Sequence, residues 1–371
     1  MRASAVAGII FANSNDQLLN KLTGIRSMAS VPFGGRYRLI DFSLSNLVNA
    51  GVSNVGIITK ENYRSLMDHI GSGASWDLDR KKGGIHILPP YYTSGARRYH
   101  GYVEALYGAV DFMKRSNAEY IVLCESNVVA NVDIDAVVNK HIENNADITI
   151  VYSYGKCPKD HPNTMLLTMD ETERVTGVEF SENRAEELNF GIGTLVANRD
   201  LLIKLISDGY ENGCTRISRD IIAPNISEIK LYGYKHDGFV AVMDCESTYF
   251  ESNMKLLDPK VRSELFKTRP IYTKTRDDMP TRYGTKADVH NCFIADGCVI
   301  NGTVINSVLF RGVTVEKGAV IENSILMQSV KVGSGTHLDY VVSDKNAVIG
   351  DNITLKGNKE KPLTVSKNRI V

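Results

Sequence analysis

Three short polar segments follow apolar runs in this chain: FANSNDQ (Phe11–Gln17), TKENYRS (Thr59–Ser65) and CESNVVA (Cys124–Ala130). They supply amides, hydroxyls, a lysine and carboxylates, the groups that recognise a polar small molecule. Basic residues form a second set, Arg36, Arg38, Lys81, Lys82, Arg97 and Arg98, from which an anion site for a phosphorylated ligand could be built. For any one of them a solvated surface charge is the simpler reading, with Arg36 and Arg38 favoured by their place in the ordered-looking segment GGRYR. His69 and His86 stand alone and read as structural. The six cysteines contain no CxxC pair and mostly lie in apolar runs, as buried free thiols of a reducing compartment would.

The polar segments need elements to position them. AVAGIIFA, VSNVGIITK, AEYIVLCES and ADITIVYSY read as buried strands starting at Ala5, Val52, Ala118 and Ala146. Between them lie helical patterns: DFSLSNLVNAG places Phe42, Leu44, Leu47 and Val48 on one face and stops at Gly51, and GYVEALYGAVDFMKRS begins at Gly101. Strands alternating with helices predict a mostly parallel sheet covered on both faces. Ligands of such sheets sit beyond the carboxyl ends of the strands, which gathers the three polar segments around one cleft.

The last third has another rhythm. Cys292, Cys298 and Val304 are six apart, as are Val313, Ala319 and Ile325, and Val341, Ala347 and Ile353. Small or aliphatic residues at this period, separated by Gly, Asn and Asp turns, predict a hexapeptide β-helix. The boundaries follow: an α/β domain over 1–271, a polar linker over 272–289 and the β-helix over 290–371. With 43 basic and 43 acidic residues in 371, net charge gives no reason to expect nucleic acid or a membrane surface as partner. The short apolar start lacks the length of a membrane span and the pattern of a signal peptide, so a cytoplasmic location is expected.

An α/β domain followed by a hexapeptide β-helix, carrying VPFGGRYRLIDFSLSNLVNAG (from Val31), GGIHILPP (Gly83–Pro90), RDIIAPN (Arg219–Asn225) and YFESNMKLL (Tyr249–Leu257), resembles the glucose-1-phosphate adenylyltransferases, or ADP-glucose pyrophosphorylases. The resemblance implies a Rossmann-like nucleotidyltransferase domain and a left-handed β-helix. The family's reaction joins glucose 1-phosphate to the α-phosphorus of ATP with loss of pyrophosphate. Such a site needs glycines for close backbone approach to phosphate, cations, and carboxylates for magnesium.

Matched to the family's motifs, this chain has lost those groups. The phosphate loop LAGGxGxRL is FANSNDQLL here, with Asn13, Ser14 and Asp16 at the glycines and Leu18 at the arginine. Side chains there obstruct the approach that glycine permits. Met28 stands at the family's lysine, Lys60 at the glutamine that reads adenine, and Ser126 at the first magnesium aspartate. On the sugar-phosphate side Asn183 replaces a lysine while Glu182 is kept, Asn189 replaces a serine, and Val242 falls at the second metal aspartate. Glu125, one residue before Ser126, is expected to face the other way. Removing one transition-state contact commonly costs on the order of a hundredfold in rate.

The resemblance therefore implies a site without catalytic or metal-binding residues and without a cofactor. More narrowly, it implies a regulatory subunit beside the catalytic one, GlgC, in a heterotetramer of glycogen synthesis with a sugar-phosphate effector. Arg36, Arg38, Lys60, Arg97, Arg98 and Glu182 are its ligand or effector candidates. Two alternatives stay open. One is an active adenylyltransferase using magnesium through Glu125, Asp133 or Asp244. The other is a hexapeptide acyltransferase whose histidine base would be His290 or His337, without the long inserted loop such enzymes carry.

Overall fold

A computed structural model describes residues 5–13, 15–90, 99, 101–157, 164–180 and 186–371. Ser14, Arg97, Arg98, Glu182 and Asn183 lie outside the described residues.

The strand Val6–Phe11 is buried along its whole length and sits centrally in a nine-stranded sheet. It pairs in parallel with Asn54–Ile58 on one side and Tyr120–Glu125 on the other, and Gly84–Leu88 continues the parallel set beyond Asn54–Ile58. Side chains alternate across the sheet as the pleat requires. Val6 and Ile10 belong to the apolar cluster that holds Leu44, Leu47 and Val122; Ala7, Ile9 and Phe11 belong to that of Leu106, Ile121 and Leu123. A Cβ on Gly8 would meet the Leu47 side chain at 2.6 Å, so the absent side chain lets the helix Leu39–Asn49 pack closely on the strand.

The sheet is mixed rather than purely parallel. Glu187–Asn198 runs antiparallel to Tyr120–Glu125 and also pairs with Ile148–Lys156, with an irregular register between Gly191 and Thr194. The helical stretch expected from Gly101 is two helices, Tyr102–Tyr107 and Val110–Arg115, interrupted at Gly108 and Ala109.

Three five-stranded parallel sheets form the faces of the left-handed β-helix. Val304, Val313, Ala319, Ile325, Val341 and Ala347 are fully buried at the sixfold-spaced positions. Asn306, Asn323, Asn346 and Asn352 occupy left-handed backbone conformations, which short polar side chains tolerate better than branched ones. The first strand, Arg282–Tyr283, pairs with Val299–Ile300, and Asp288–His290 pairs with Thr303–Ile305. The β-helix thus starts inside the stretch read as linker. Its first coil exposes both Arg282 and Tyr283, which hid the pattern.

The two domains share a core. Leu19, Leu22, Met28, Phe33 and Phe42 of the α/β domain cluster with Val308, Phe310, Ile325, Met327 and Val342 of the β-helix. Polar bonds reinforce this seam: Arg26 donates through one Nη to both carboxylate oxygens of Asp344, at 2.9 and 2.7 Å, with both side chains at most 2% exposed. All six cysteines are free, but only Cys124, Cys157 and Cys298 are fully buried. No helix among the described residues is long and apolar enough to cross a membrane.

Candidate functional site

The cleft opens where the central strand ends at Phe11. The loop after it is held by its own side chains. Asn13 donates from Nδ2 to Asp16 Oδ2 at 2.6 Å and to the Glu61 carbonyl at 3.0 Å, while its Oδ1 accepts from the Lys60 amide at 2.8 Å. Asp16 Oδ1 accepts from the Met28 amide at 2.8 Å, and its carbonyl accepts from Thr23 Oγ1 at 2.6 Å. Burial raises the Asp16 carboxyl above its usual range, opposed first by the Asn13 hydrogen bond. An anion loop works by presenting unused N–H groups. Here the amides of Met28 and Lys60 are already taken by side chains at two of the family's glycine positions.

Met28 and Leu18 complete the change of polarity. Met28 is fully buried in the core shared with the β-helix, and Leu18 lies half-buried on the turn Asp16–Leu19. A lysine at position 28 would bury an ammonium among Leu19, Leu22 and Phe33, at a cost of several kcal/mol.

Beyond the loop the cleft has two compartments that share Phe11, Asn15, Tyr102 and Arg216. The outer one, about 980 Å³ with open solvent included, is lined by Asn13, Thr59, Lys60, Tyr99 and Thr215 besides the shared residues. The inner one, about 890 Å³ on the same basis, is largely apolar, with Leu123, Val128, Ile150, Met165, Ile192 and Val242 in its wall. Phe11 and Tyr102 have ring centroids 4.8 Å apart, and the Arg216 guanidinium carbon lies 6.0 Å from the Tyr102 centroid.

Glu125 corrects the expectation from strand alternation: it faces the inner compartment, and Ser126 is the residue turned into the protein. The irregular register of Glu187–Asn198 brings Gly193 against it at φ +68, where a Cβ would stand 2.9 Å from that of Glu125. Burial pushes the Glu125 carboxyl up to about 7, against the opposing pull of Arg216. The Ser126 hydroxyl is buried without a hydrogen-bond partner.

The donors do not fit the magnesium that the fold's enzymes would use. Val242 lines the inner compartment at the second metal position, while Asp244 is buried, with 2% exposure, and outside both linings. Asp133 caps the helix Ile134–Glu143 through the Ala136 amide at 3.0 Å and pairs with Arg269 at 2.9 Å. Glu125 is thus the single carboxylate among the described lining residues. No group of three His, Cys, Asp or Glu side chains among the described residues is placed to hold a metal. His337 pairs with Glu322 and His290 with Asp288 on the β-helix surface, far along the chain from any cleft residue.

Lys60 lies in the cleft, but Arg36 and Arg38 do not; they belong to the domain seam. Arg36 is exposed and 3.8 Å from Asp296. Arg38 donates from one Nη to the Ser65 carbonyl at 2.5 Å and to its hydroxyl at 2.9 Å, and burial lowers its guanidinium to about 10 against the favourable charge of Asp41. Asp41 accepts from the Arg38 amide and lies 2.6 Å from His69 Nε2. His69 is held low by burial, with Asp41 opposing, and is structural as expected.

The sequence did not single out Arg26 or Lys345, which meet Arg38 at this seam. Burial first, then the charges of Arg38 and Arg26, push the Lys345 amine down to about 6, with Asp344 opposing. Arg276 and Lys367 add to the same positive field. Arg26 lies 318 residues from Asp344 in the chain, so no local pattern announces their pairing.

Comparison with known proteins fits this geometry. Residues 8–182 match the nucleotidyl transferase family and residues 277–370 the GlmU-like C-terminal hexapeptide family. The chain is 40% identical over 366 residues to "Glycogen biosynthesis protein GlgD" of Geobacillus stearothermophilus, covering 98% of this chain and 96% of that protein. The protein of the same name in Bacillus subtilis (strain 168) is 33% identical over 364 residues with the same coverage. "Glucose-1-phosphate adenylyltransferase" of Bacillus mycoides (strain KBAB4) is 31% identical over 360 residues, 95% of this chain and 94% of that enzyme.

Proposed function

The chain belongs to the glucose-1-phosphate adenylyltransferase family, and on that premise we propose that it is a non-catalytic, regulatory subunit of ADP-glucose pyrophosphorylase in glycogen synthesis. The observation that carries the reading is the loop after Phe11, whose Asn13 and Asp16 side chains close onto the Lys60 and Met28 amides. A triphosphate would have to displace those bonds and face the Asp16 carboxylate. With Ser126 and Val242 at the metal positions, charge developing on a leaving pyrophosphate lacks the magnesium counter-ion of the family's reaction. The resemblance to the proteins named GlgD supports the same reading.

Regulation requires contacts that bias a partner between states. The scaffold for such contacts is intact, because the α/β domain and β-helix share one core and a buried ion pair. The partner is the catalytic subunit, GlgC, in a hetero-oligomer. The effector, a sugar phosphate, binds at the seam, where Arg26, Arg38 and Lys345 converge. An arriving phosphate would draw a proton onto the Lys345 amine, which sits near 6 without it.

The test is to assay ADP-glucose formation by this chain, by GlgC, and by the co-expressed pair, with and without sugar phosphates. The expected result is silence from this chain alone and an altered rate or effector response in the pair. Turnover by the pure chain would sink the reading.

A further inference from the structure

The cleft has lost the motif's phosphate loop, yet it holds two compartments and is lined by cations of its own. The outer compartment is lined by Lys60 and Arg216, and none of its described lining residues is acidic. Thr59, beside Lys60, is fully buried and its hydroxyl has no hydrogen-bond partner. A buried hydroxyl without a partner costs on the order of 1–3 kcal/mol, which a ligand oxygen would recover. The guanidinium of Arg216 lies over Tyr102, whose ring rests against Phe11.

We propose that this outer compartment binds a phosphate monoester without a divalent cation, with Lys60 and Arg216 taking its charge and the Thr59 hydroxyl donating to a phosphate oxygen. A monoester carries roughly −1.5 to −2 charges near neutral pH, which two cations match. A triphosphate exceeds them and calls for the metal ligands this cleft lacks. Burial pushes the one described carboxylate of the neighbouring compartment, Glu125, up to about 7, which lessens its opposition to that charge. The compartment overlaps the family's nucleotide position but presents other groups there, with Lys60 where the motif has an adenine-reading glutamine and Arg216 outside the phosphate loop. It is separate from the seam, where Arg38 and Lys345 lie.

Calorimetric titration of the purified full chain tests this with inorganic phosphate, AMP and glucose 1-phosphate, each in EDTA and in magnesium. The expected result is saturable binding of at least one probe, unchanged by EDTA. Lys60→Met and Arg216→Met should each weaken it about tenfold or more, and Thr59→Val by a few-fold. Arg282→Met, on the exposed first coil of the β-helix, should leave it unchanged. Equal binding of all three probes would mean the phosphate alone is read; preference for AMP or glucose 1-phosphate would identify the body that accompanies it. Lys60→Gln serves as a second variant if Lys60→Met melts early. The proposal is overturned if no probe binds in EDTA, if binding needs magnesium, or if only Arg38→Met, at the seam, abolishes it. Since the chain is titrated alone, the outcome is independent of whether it modulates a catalytic subunit.

Discussion

The cleft and the domain seam have changed in opposite ways. At the cleft, glycine positions of the adenylyltransferase motifs carry Asn13 and Asp16, charged positions carry Met28, Ser126 and Val242, and the loop closes on itself. At the seam, VPFGGRYRLIDF is kept and its surroundings are tied together by Arg26–Asp344, by the bond from Tyr249 Oη to the Pro32 carbonyl at 2.6 Å, and by that from the Gly34 amide to Asn253 Oδ1 at 2.9 Å. The contacts that join the two domains are thus separable from the groups that line the cleft. A cleft can lose its reacting groups without unfolding, because those groups faced solvent or ligand. The seam cannot, since each of its groups is another's partner.

The largest effect expected from breaking this contrast is at the buried ion pair. Asp344→Ala leaves Arg26 uncompensated and should cost about 3–5 kcal/mol in denaturant unfolding, whereas Arg26→Met with Asp344→Leu should recover most of that loss. Phe310→Ala, in the shared core, should cost a similar 3–5 kcal/mol. If either variant unfolds like the parent, the seam is not the stabilising region claimed here.

Proton linkage separates the regions by sign. Glu125 is raised from its ordinary 4.5 to about 7, so the folded state holds its proton more tightly than the unfolded chain does. Its contribution is complete below about pH 4.5 and is lost as pH rises through 7, by about 1–3 kcal/mol. Lys345 is lowered from 10.5 to about 6, so its contribution runs the other way, stability rising with pH from 6 towards 10.5. Unfolding measured at pH 5, 7 and 9 should show Glu125→Gln and Lys345→Met removing slopes of opposite sign.

The cleft loop should respond less than the seam. Asn13→Ala deletes three hydrogen bonds near the surface and should cost about 1–2 kcal/mol. The exposed pair Lys21–Glu246, 2.9 Å apart, should matter least: Lys21→Ala is expected to change stability by less than about 1 kcal/mol.

The strands were legible in the sequence, because short continuous apolar runs such as VAGIIF, ending in polar turn residues, suit a strand buried on both faces. The sequence determined the β-helix, because sixfold spacing fills one interior column and nothing else. It also displayed which side chains, Asn13, Asp16, Met28 and Ser126, stand at the motifs' glycines, lysine and metal aspartate, since residue identity is read directly from the chain. Only the tertiary structure decided where the remaining charges act. A register irregularity near Gly193 accompanies Glu125 in the cavity against the simple alternation rule. Arg38, similar in sequence context to Arg36, is half-buried against Ser65 while Arg36 is exposed beside Asp296. Arg216 and Lys345 lacked any local signal; what makes each a site residue is a neighbour distant in the chain. Periodicity is a local property that a sequence can display, whereas desolvation and charge pairing depend on contacts between segments hundreds of residues apart.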